Sequence, residues 1–130
     1  MKSVVICGSN RFADEIRNFA KKLKELGAVV YEPNLYRSSG GVWAEIKEFD
    51  KKFVAMGLTH DHFYKIRMAD VVFVLNKDGY AGNSTTLEIG YAVALNKPIY
   101  VLEEQDEELC RKILFSGVTK SPEDLIPFLQ

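Results

Sequence analysis

The run Val-Val-Phe-Val-Leu at residues 71–75 most constrains what this chain can fold into. It is apolar at every position, which is typical of a central strand in a parallel sheet that is buried on both faces. Similar short runs occur at 4–7, 29–31 and 99–102, and a fifth strand is predicted within 113–118. Because stretches with helical spacing separate these runs, we expect helices to cover both faces of a parallel sheet.

The expected fold class is therefore α/β: a flavodoxin-like or Rossmann-like three-layer sandwich with a parallel sheet of about five strands. A length of 130 residues fits one domain, spanning 1–130. Residues 36–41 are expected to form a loop. Helices are predicted over 12–26, around 43–54, over 59–68 and 84–95, from the acidic stretch 103–108, and after Ser121. Five aromatic residues are predicted to lie mainly in the core, although a minority of them could stack on a flat ligand: Trp43, Phe49, Phe53, Phe63 and Tyr64.

The composition narrows the possible partners and the cellular setting. A formal net charge of -1 gives no indication of a nucleic-acid polymer or an acidic membrane as partner. Two cysteines, Cys7 and Cys110, give no indication in the sequence of a disulfide framework or a metal-ligand cluster. We expect reduced thiols and a cytoplasmic location. No apolar run reaches the ~18 residues of a membrane-spanning helix, and the first apolar run is too short for a signal peptide.

Ligands of such sheets bind beyond the carboxyl ends of the strands, where the strand order switches. The loops at 8–12, 32–42 and 76–84 should therefore form the site. In the first loop, backbone N–H groups and the Arg11 guanidinium could hold a phosphate, although a tight turn chosen for its geometry explains the same residues. The candidate binding residues of this loop are Gly8, Ser9, Asn10 and Arg11.

Glu88 has two competing interpretations. The stretch Thr-Thr-Leu-Glu at 85–88 matches a capping box, in which the Thr hydroxyl and the Glu carboxylate satisfy free helix N–H groups. The alternative is a nucleophile on the first turn of a helix, kept ionised by the helix dipole and directed into the cleft. A glutamate folded back onto its own cap is poorly placed to attack, so the two roles conflict.

The triplet His60-Asp61-His62 suggests a metal site only weakly, since residues two apart on a helix face nearly opposite ways. A helix start capped by Thr59 or Asp61 fits the pattern better. A functional role near the cleft remains open for Asp61 and His62. We predict no metal site.

Several motifs together resemble the nucleoside 2-deoxyribosyltransferase family, which includes the 2'-deoxynucleoside 5'-monophosphate N-glycosidases. They are Cys-Gly-Ser at 7–9, Ala-Asp-Val-Val at 69–72, Gly-Asn-Ser-Thr-Thr-Leu-Glu-Ile-Gly-Tyr-Ala at 82–92, and Ala-Leu-Asn-Lys-Pro-Ile at 94–99. The resemblance implies a flavodoxin-like fold, a homodimer or higher homo-oligomer, and a small-molecule nucleoside or nucleotide as partner, without a cofactor. It also implies that Glu88 attacks C1' of a deoxyribosyl group.

The family carries an acidic residue before the central strand, and the equivalent position here is His62, with Asp61 one residue away. The transferases carry a further acidic residue in the loop before the nucleophile, where this chain has Tyr-Ala-Gly-Asn at 80–83. Small polar residues there favour hydrolysis of a 5'-monophosphate over base exchange, with Gly82, Asn83, Ser84 and Thr85 contacting sugar or phosphate. The alternatives are a non-catalytic nucleotide-binding module and a ribonucleotide phosphoribohydrolase.

Overall fold

The computed structural model describes residues 1–35 and 42–130. Five strands and six α-helices follow one another along these residues, with two helices between the second and third strands. The strands are β1 (Val4–Cys7), β2 (Val30–Tyr31), β3 (Val71–Val74), β4 (Ile99–Val101) and β5 (Gly117–Val118). The helices are α1 (Ala13–Glu25), α2 (Val42–Glu45), α3 (Glu48–Met68), α4 (Asn83–Ala94), α5 (Leu109–Lys112) and α6 (Pro122–Leu129). The loop predicted at 36–41 lies outside the described residues.

The five strands form one parallel sheet in the order β2-β1-β3-β4-β5, which confirms the predicted fold class. Successive strands move outward in one direction from β1 to β2 and in the other direction from β3 to β5. The switch point between β1 and β3 is where this kind of sheet opens a crevice for a ligand.

Alternating side chains of the central strands supply two separate cores. Val4 and Ile6 of β1 pack with α1 and α6 on one face, whereas Val5 and Cys7 pack with α3 and α4 on the other. The same alternation holds in β3, where every residue is buried, as predicted from its continuous apolar run. Cys7, the last residue of β1, therefore points into the layer that carries α3 and α4.

The long helix α3 corrects the prediction of separate helices around 43–54 and over 59–68. Its 21 residues run without interruption through Gly57, and Thr59 and Asp61 lie in its interior instead of capping its start. A glycine inside a helix costs about 1 kcal/mol relative to alanine. Packing compensates for this cost, because Leu58, His62 and Ile66 recur at intervals of four along the face toward the sheet.

Two further expectations were wrong. The acidic stretch 103–108 is a loop and α5 begins only at Leu109, because Asp106 accepts a hydrogen bond from Glu108 N and forms an ion pair with Arg111 instead of leading a helix. Of the aromatic residues predicted to be core, Phe49, Phe53 and Tyr64 are more than half exposed on α3. They lie on the side of the helix that faces away from the sheet.

The terminal helix follows its predicted signals. Ser121 caps α6 by accepting a hydrogen bond from Asp124 N, and Pro122 occupies the first turn. Among the described helices, none combines the length and the apolar character that crossing a membrane requires.

Candidate active site

A cleft of about 510 Å³ opens at the carboxyl ends of β1 and β3, at the switch in strand order. Its walls come from the loop after β1, the loop after β2, the middle of α3 and the start of α4. The lining residues are 8–11 and 80–85 together with Pro33, Asn34, Leu58, Thr59, His62 and Glu88.

The loop after β1 is shaped by Gly8. A Cβ at this position would lie 2.8 Å from Ile16 Cδ1, so glycine allows α1 to pack close behind the loop. The next residue, Ser9, accepts a hydrogen bond from Arg11 N through its hydroxyl and caps a short 3-10 turn. This arrangement presents Arg11 at the mouth of the cleft.

The start of α4 is stabilised by a glycine before the helix and by side-chain hydrogen bonds next to it. Gly82 precedes the helix with a φ of 83°, a conformation that glycine adopts readily. Thr86 Oγ1 donates to the Gly82 carbonyl at 2.6 Å and in turn accepts from Arg111 at 3.1 Å. Arg111 also pairs with the fully buried Asp106 at 2.7 Å, which fixes the support behind the helix.

Glu88 lies in the second turn of α4, not the first, and does not cap the helix. The residue at the N-cap is Gly82, and no side chain forms a cap hydrogen bond there. The capping-box interpretation is therefore wrong: helix geometry turns the Glu88 side chain toward the sheet and the cleft, away from the free N–H groups. Only 15% of this side chain is exposed.

The expectation that the helix dipole keeps Glu88 ionised is also wrong. Burial raises the pKa of the Glu88 carboxyl to about 8, and the neighbouring Cys7 thiol only partly offsets this effect. The dipole acts most strongly within the first turn, whereas Glu88 lies in the second turn. At neutral pH the carboxyl is therefore mostly protonated.

His62 approaches Glu88 from α3. Its Nε2 lies 3.7 Å from Glu88 Oε1 and 3.3 Å from Cys7 Sγ, while its buried Nδ1 has no hydrogen-bond partner among the described residues. Burial is the main cause that lowers the pKa of His62 to about 4, and the charge of Lys65 adds to it. Although 3.7 Å is within ion-pair distance, His62 and Glu88 are both neutral between about pH 4 and pH 8.

Cys7 is the third residue in contact with this pair of His62 and Glu88. The sequence offered no partner for it, but the structure places His62 Nε2 within hydrogen-bond distance of its sulfur. Burial and the nearby Glu88 raise the pKa of the Cys7 thiol well above its ordinary value. Cys7 is therefore a neutral thiol rather than a nucleophile.

Asp61 is not among the residues that line the cleft. It accepts a hydrogen bond from Asn34 at 2.8 Å and pairs with Lys65 at 2.8 Å, on a largely exposed part of α3. The hydrogen bond from Lys65 lowers the pKa of its carboxyl. Asp61 reaches the cleft only through Asn34, which does line it.

The charge of the cleft is uneven. Arg11 is the only cationic side chain and Glu88 the only carboxylic acid among the lining residues that the structure describes. The Arg11 guanidinium lies over the Tyr80 ring, 3.6 Å from its centroid, and has no carboxylate partner within the described ranges. A cation held by an aromatic ring remains available for an anionic group of a ligand.

Sequence reasoning named most of this site, as candidates, before the structure. Gly8, Ser9, Asn10, Arg11, His62, Gly82, Asn83, Ser84, Thr85 and Glu88 all line one cleft, whereas Asp61 does not. Asn34 was not singled out, although its place just after β2 put it in a loop predicted to matter. No sequence pattern indicated the contact of Cys7 with His62, because 55 residues separate them in the chain.

Comparison with known proteins now decides the family. The model of the nucleoside 2-deoxyribosyltransferase family matches residues 6–124. The chain belongs to this family. This confirms the predicted resemblance, and the family consists of enzymes that act on nucleosides.

Solved structures agree with this assignment at the level of fold. The chain is similar to a 2-deoxyribosyltransferase from the psychrotolerant bacterium Bacillus psychrosaccharolyticus, with a TM-score of 0.67, 17% identity, and coverage of 95% of this chain and 89% of that one. It is also similar to a conserved protein from Enterococcus faecalis V583, with a TM-score of 0.57, 16% identity, and coverage of 98% and 96%. Among curated proteins, none matches this member of the nucleoside 2-deoxyribosyltransferase family significantly.

Proposed function

We propose that this protein cleaves the N-glycosidic bond of a 2'-deoxynucleoside 5'-monophosphate by hydrolysis, through a covalent glycosyl-Glu88 intermediate. The observation that carries the proposal is the position of Glu88. Its carboxyl lies at the floor of the cleft, shielded from water and free of any helix-capping role. A carboxylate in such a place can reach C1' of a bound sugar.

The first step is attack by the ionised form of Glu88. A carboxylate oxygen bonds to C1', the C1'–N bond breaks, and its electron pair leaves with the base, which takes a proton from water. With a pKa of about 8, the ionised form is about one tenth of the total at pH 7. The positive charge that develops at C1' stabilises this desolvated carboxylate in the transition state. Water then attacks C1' and releases the sugar phosphate and Glu88.

His62 is best suited to position Glu88 and the sugar. A group with a pKa of about 4 carries no extra proton at pH 7, so it cannot act as a strong acid toward the leaving base. As a neutral imidazole, 3.7 Å from Glu88, it can orient the carboxyl and hydrogen-bond a sugar hydroxyl. The exposed position of Asp61 favours His62 over Asp61 for this role.

The charge of the cleft supports a 5'-monophosphate as substrate. Arg11 and the polar start of α4, with Asn83 and Ser84, face the same space, and no carboxylate other than Glu88 lines its described part. A helix N-terminus and a guanidinium both favour an anion. An acidic residue to hold an incoming base is missing from 80–83, which favours water over a second base as the acceptor.

We further propose a homodimer or higher homo-oligomer. Large apolar side chains are exposed along the outer side of α3, at Phe49, Phe53, Met56 and Tyr64, and Leu87 of α4 is 63% exposed. Phe49 and Phe53 pack against each other edge to face, so their two exposed rings form one apolar patch. Such patches commonly mark protein–protein interfaces.

One observation favours a second function, a nucleotide-binding module without catalysis. Glu88 is mostly protonated at neutral pH, and a neutral carboxyl hydrogen-bonds ribose hydroxyls without attacking C1'. This function predicts nucleotide binding with no release of base.

The test is base release from the four deoxynucleoside 5'-monophosphates, the matching deoxynucleosides and the matching ribonucleoside 5'-monophosphates, with and without adenine as acceptor. Free base from monophosphates alone supports the proposal, whereas exchange that requires adenine indicates a transferase. Release from ribonucleotides only would indicate a phosphoribohydrolase. Glu88→Gln should abolish release, and the surface variant Glu25→Gln on α1 serves as its control.

A further inference from the structure

We propose that Cys7, His62 and Glu88 form a binding site for a thiophilic divalent cation of the Zn²⁺ type. One ligand atom from each residue lies within 4.8 Å of the other two. The three come from three rigid elements, β1, α3 and α4. Sulfur, imidazole nitrogen and carboxylate oxygen are the donors found in protein zinc sites.

The separations fit one cation with four ligands. Zinc bonds of ~2.0 to 2.3 Å at tetrahedral angles place neighbouring ligand atoms ~3.4 to 3.6 Å apart. In the structure, His62 Nε2 lies 3.3 Å from Cys7 Sγ and 3.7 Å from Glu88 Oε1. The Cys7 and Glu88 ligand atoms lie within 4.8 Å of each other, so the three atoms surround a space that one cation can fill once the side chains adjust.

The charge and the surroundings also fit. A thiolate and a carboxylate neutralise a divalent cation, and the His62 imidazole supplies a nitrogen ligand that adds no further negative charge. Binding displaces the Cys7 proton and any proton on Glu88 to the solvent. His62 and Glu88 border the cleft, from which water or a ligand can supply a fourth donor atom.

The donor set selects among metals. Thiolate and imidazole favour Zn²⁺, Cd²⁺ or Co²⁺, whereas Mg²⁺ and Ca²⁺ prefer sets of oxygen ligands. A cation held here occupies the lone pairs with which Glu88 attacks. The cation would therefore inhibit the enzyme, a consequence that rests on the proposed function; metal binding itself does not.

The experiment measures binding first. Protein stripped with EDTA is dialysed against Zn²⁺, and the metal content is determined together with the affinity. We expect one Zn²⁺ per chain with a Kd of about 1 µM or tighter, and no binding of Mg²⁺. Replacing Zn²⁺ by Co²⁺ should give the near-ultraviolet charge-transfer band of a thiolate–cobalt bond, a readout that requires no variant.

The two cysteines offer a matched pair of variants. Cys7→Ser should weaken Zn²⁺ binding at least about 10-fold and remove the cobalt–thiolate band, whereas Cys110→Ser, at an exposed position, should change neither. In the activity assay, Zn²⁺ should inhibit wild-type and Cys110→Ser protein, and EDTA should restore the activity of both.

Three results would overturn the metal site: unchanged Zn²⁺ binding in Cys7→Ser, absence of the cobalt–thiolate band in wild-type protein, or equal binding of Mg²⁺. Metal binding to a protein without glycosidase activity would leave the site standing and refute only the proposed function.

Discussion

His62 Nε2 lies 3.7 Å from Glu88 Oε1, yet these two side chains form no ion pair between about pH 4 and pH 8. Burial disfavours the charged form of each group, so it lowers the pKa of the imidazole and raises that of the carboxyl. The central acid of the cleft is thus held in its protonated form until the pH approaches 8. This relationship determines how the proposed enzyme should respond to pH.

Activity should rise with pH up to about 8. Only the ionised Glu88 can attack C1', so kcat/KM for a deoxynucleoside 5'-monophosphate should increase about tenfold per pH unit below the pKa of about 8 and level off above it. The phosphate of the substrate titrates near pH 6. Its effect on the profile can therefore be distinguished from the rise that Glu88 causes near pH 8. The profile is measured by base release in the presence of EDTA. A flat profile between pH 6 and pH 9 would refute the role of Glu88 as nucleophile.

Glu88→Gln should stabilise the fold at alkaline pH. The folded-state pKa of about 8 lies above the unfolded value of 4.5, so the folded state binds more protons, and stability is lost as pH rises from about 4.5 through about 8. The loss amounts to roughly 1.4 kcal/mol per pH unit within that window. Glutamine does not titrate and avoids it.

The measurement is urea unfolding at pH 5 and pH 9. The stability of Glu88→Gln relative to wild type should be greater at pH 9 by at least about 2 kcal/mol. Glu25→Gln, which removes an exposed carboxylate, controls for the change in net charge. An equal difference at both pH values would show that the Glu88 carboxyl is ionised throughout.

His62→Asn should lower kcat by roughly 10- to 100-fold, since misplacing a reacting group by about 1 Å can cost this much. Its neighbour on α3 supplies the control: Asp61→Asn, at an exposed position, should retain activity within about threefold of wild type. If His62 positions Glu88, the midpoint of the pH profile shifts in His62→Asn. A larger loss in Asp61→Asn than in His62→Asn would reverse the assignment of the two residues.

Arg11→Ala should raise KM for a nucleoside monophosphate much more than KM for the matching nucleoside. Losing one charged hydrogen bond of about 1.5 to 3 kcal/mol should raise KM for a monophosphate by about 10- to 100-fold. KM for the matching deoxynucleoside should stay within about twofold of wild type. Arg17→Ala, on the exposed side of α1, controls for the loss of a positive charge. Equal effects on both substrates would place the phosphate elsewhere.

Phe53→Ser should weaken self-association. The exposed apolar surface of α3 is the proposed interface, and burial of one phenylalanine contributes about 1.5 to 3 kcal/mol. Sedimentation velocity across a range of concentrations measures the shift in the monomer–dimer midpoint. Leu109→Ser, at an apolar residue of α5 that is 72% exposed, should leave the midpoint unchanged. A wild-type protein that remains monomeric at all concentrations would exclude the interface.

The fold was predictable because β1 and β3 are apolar at every position and helical spacing lies between the strands. Local sequence patterns did not predict the helix boundaries that tertiary contacts determine. Helix α3 continues through Gly57 because its face toward the sheet remains packed. Likewise Asp106 bonds to Arg111 instead of starting a helix. These partners are specified by the fold and not by neighbouring residues.

The site was predictable in its outline and not in its electrostatics. Motifs after the strands indicated Glu88 and the loop that carries Arg11, because parallel strands end at one edge. The pKa of Glu88 depends on how deeply its carboxyl is buried, and no sequence pattern reports depth. The contact between Cys7 and His62 joins residues 55 positions apart, so only the packed structure reveals it.

The most direct test of the central claim is the configuration of the first product formed in the presence of methanol. Nucleosides are β-anomers, and attack by Glu88 followed by attack of methanol inverts C1' twice. Proton NMR of the initial product should therefore show the β-methyl deoxyriboside, and Glu88→Gln should form none. An α-methyl product from wild type, or undiminished turnover in Glu88→Gln, would contradict a covalent glycosyl-Glu88 intermediate.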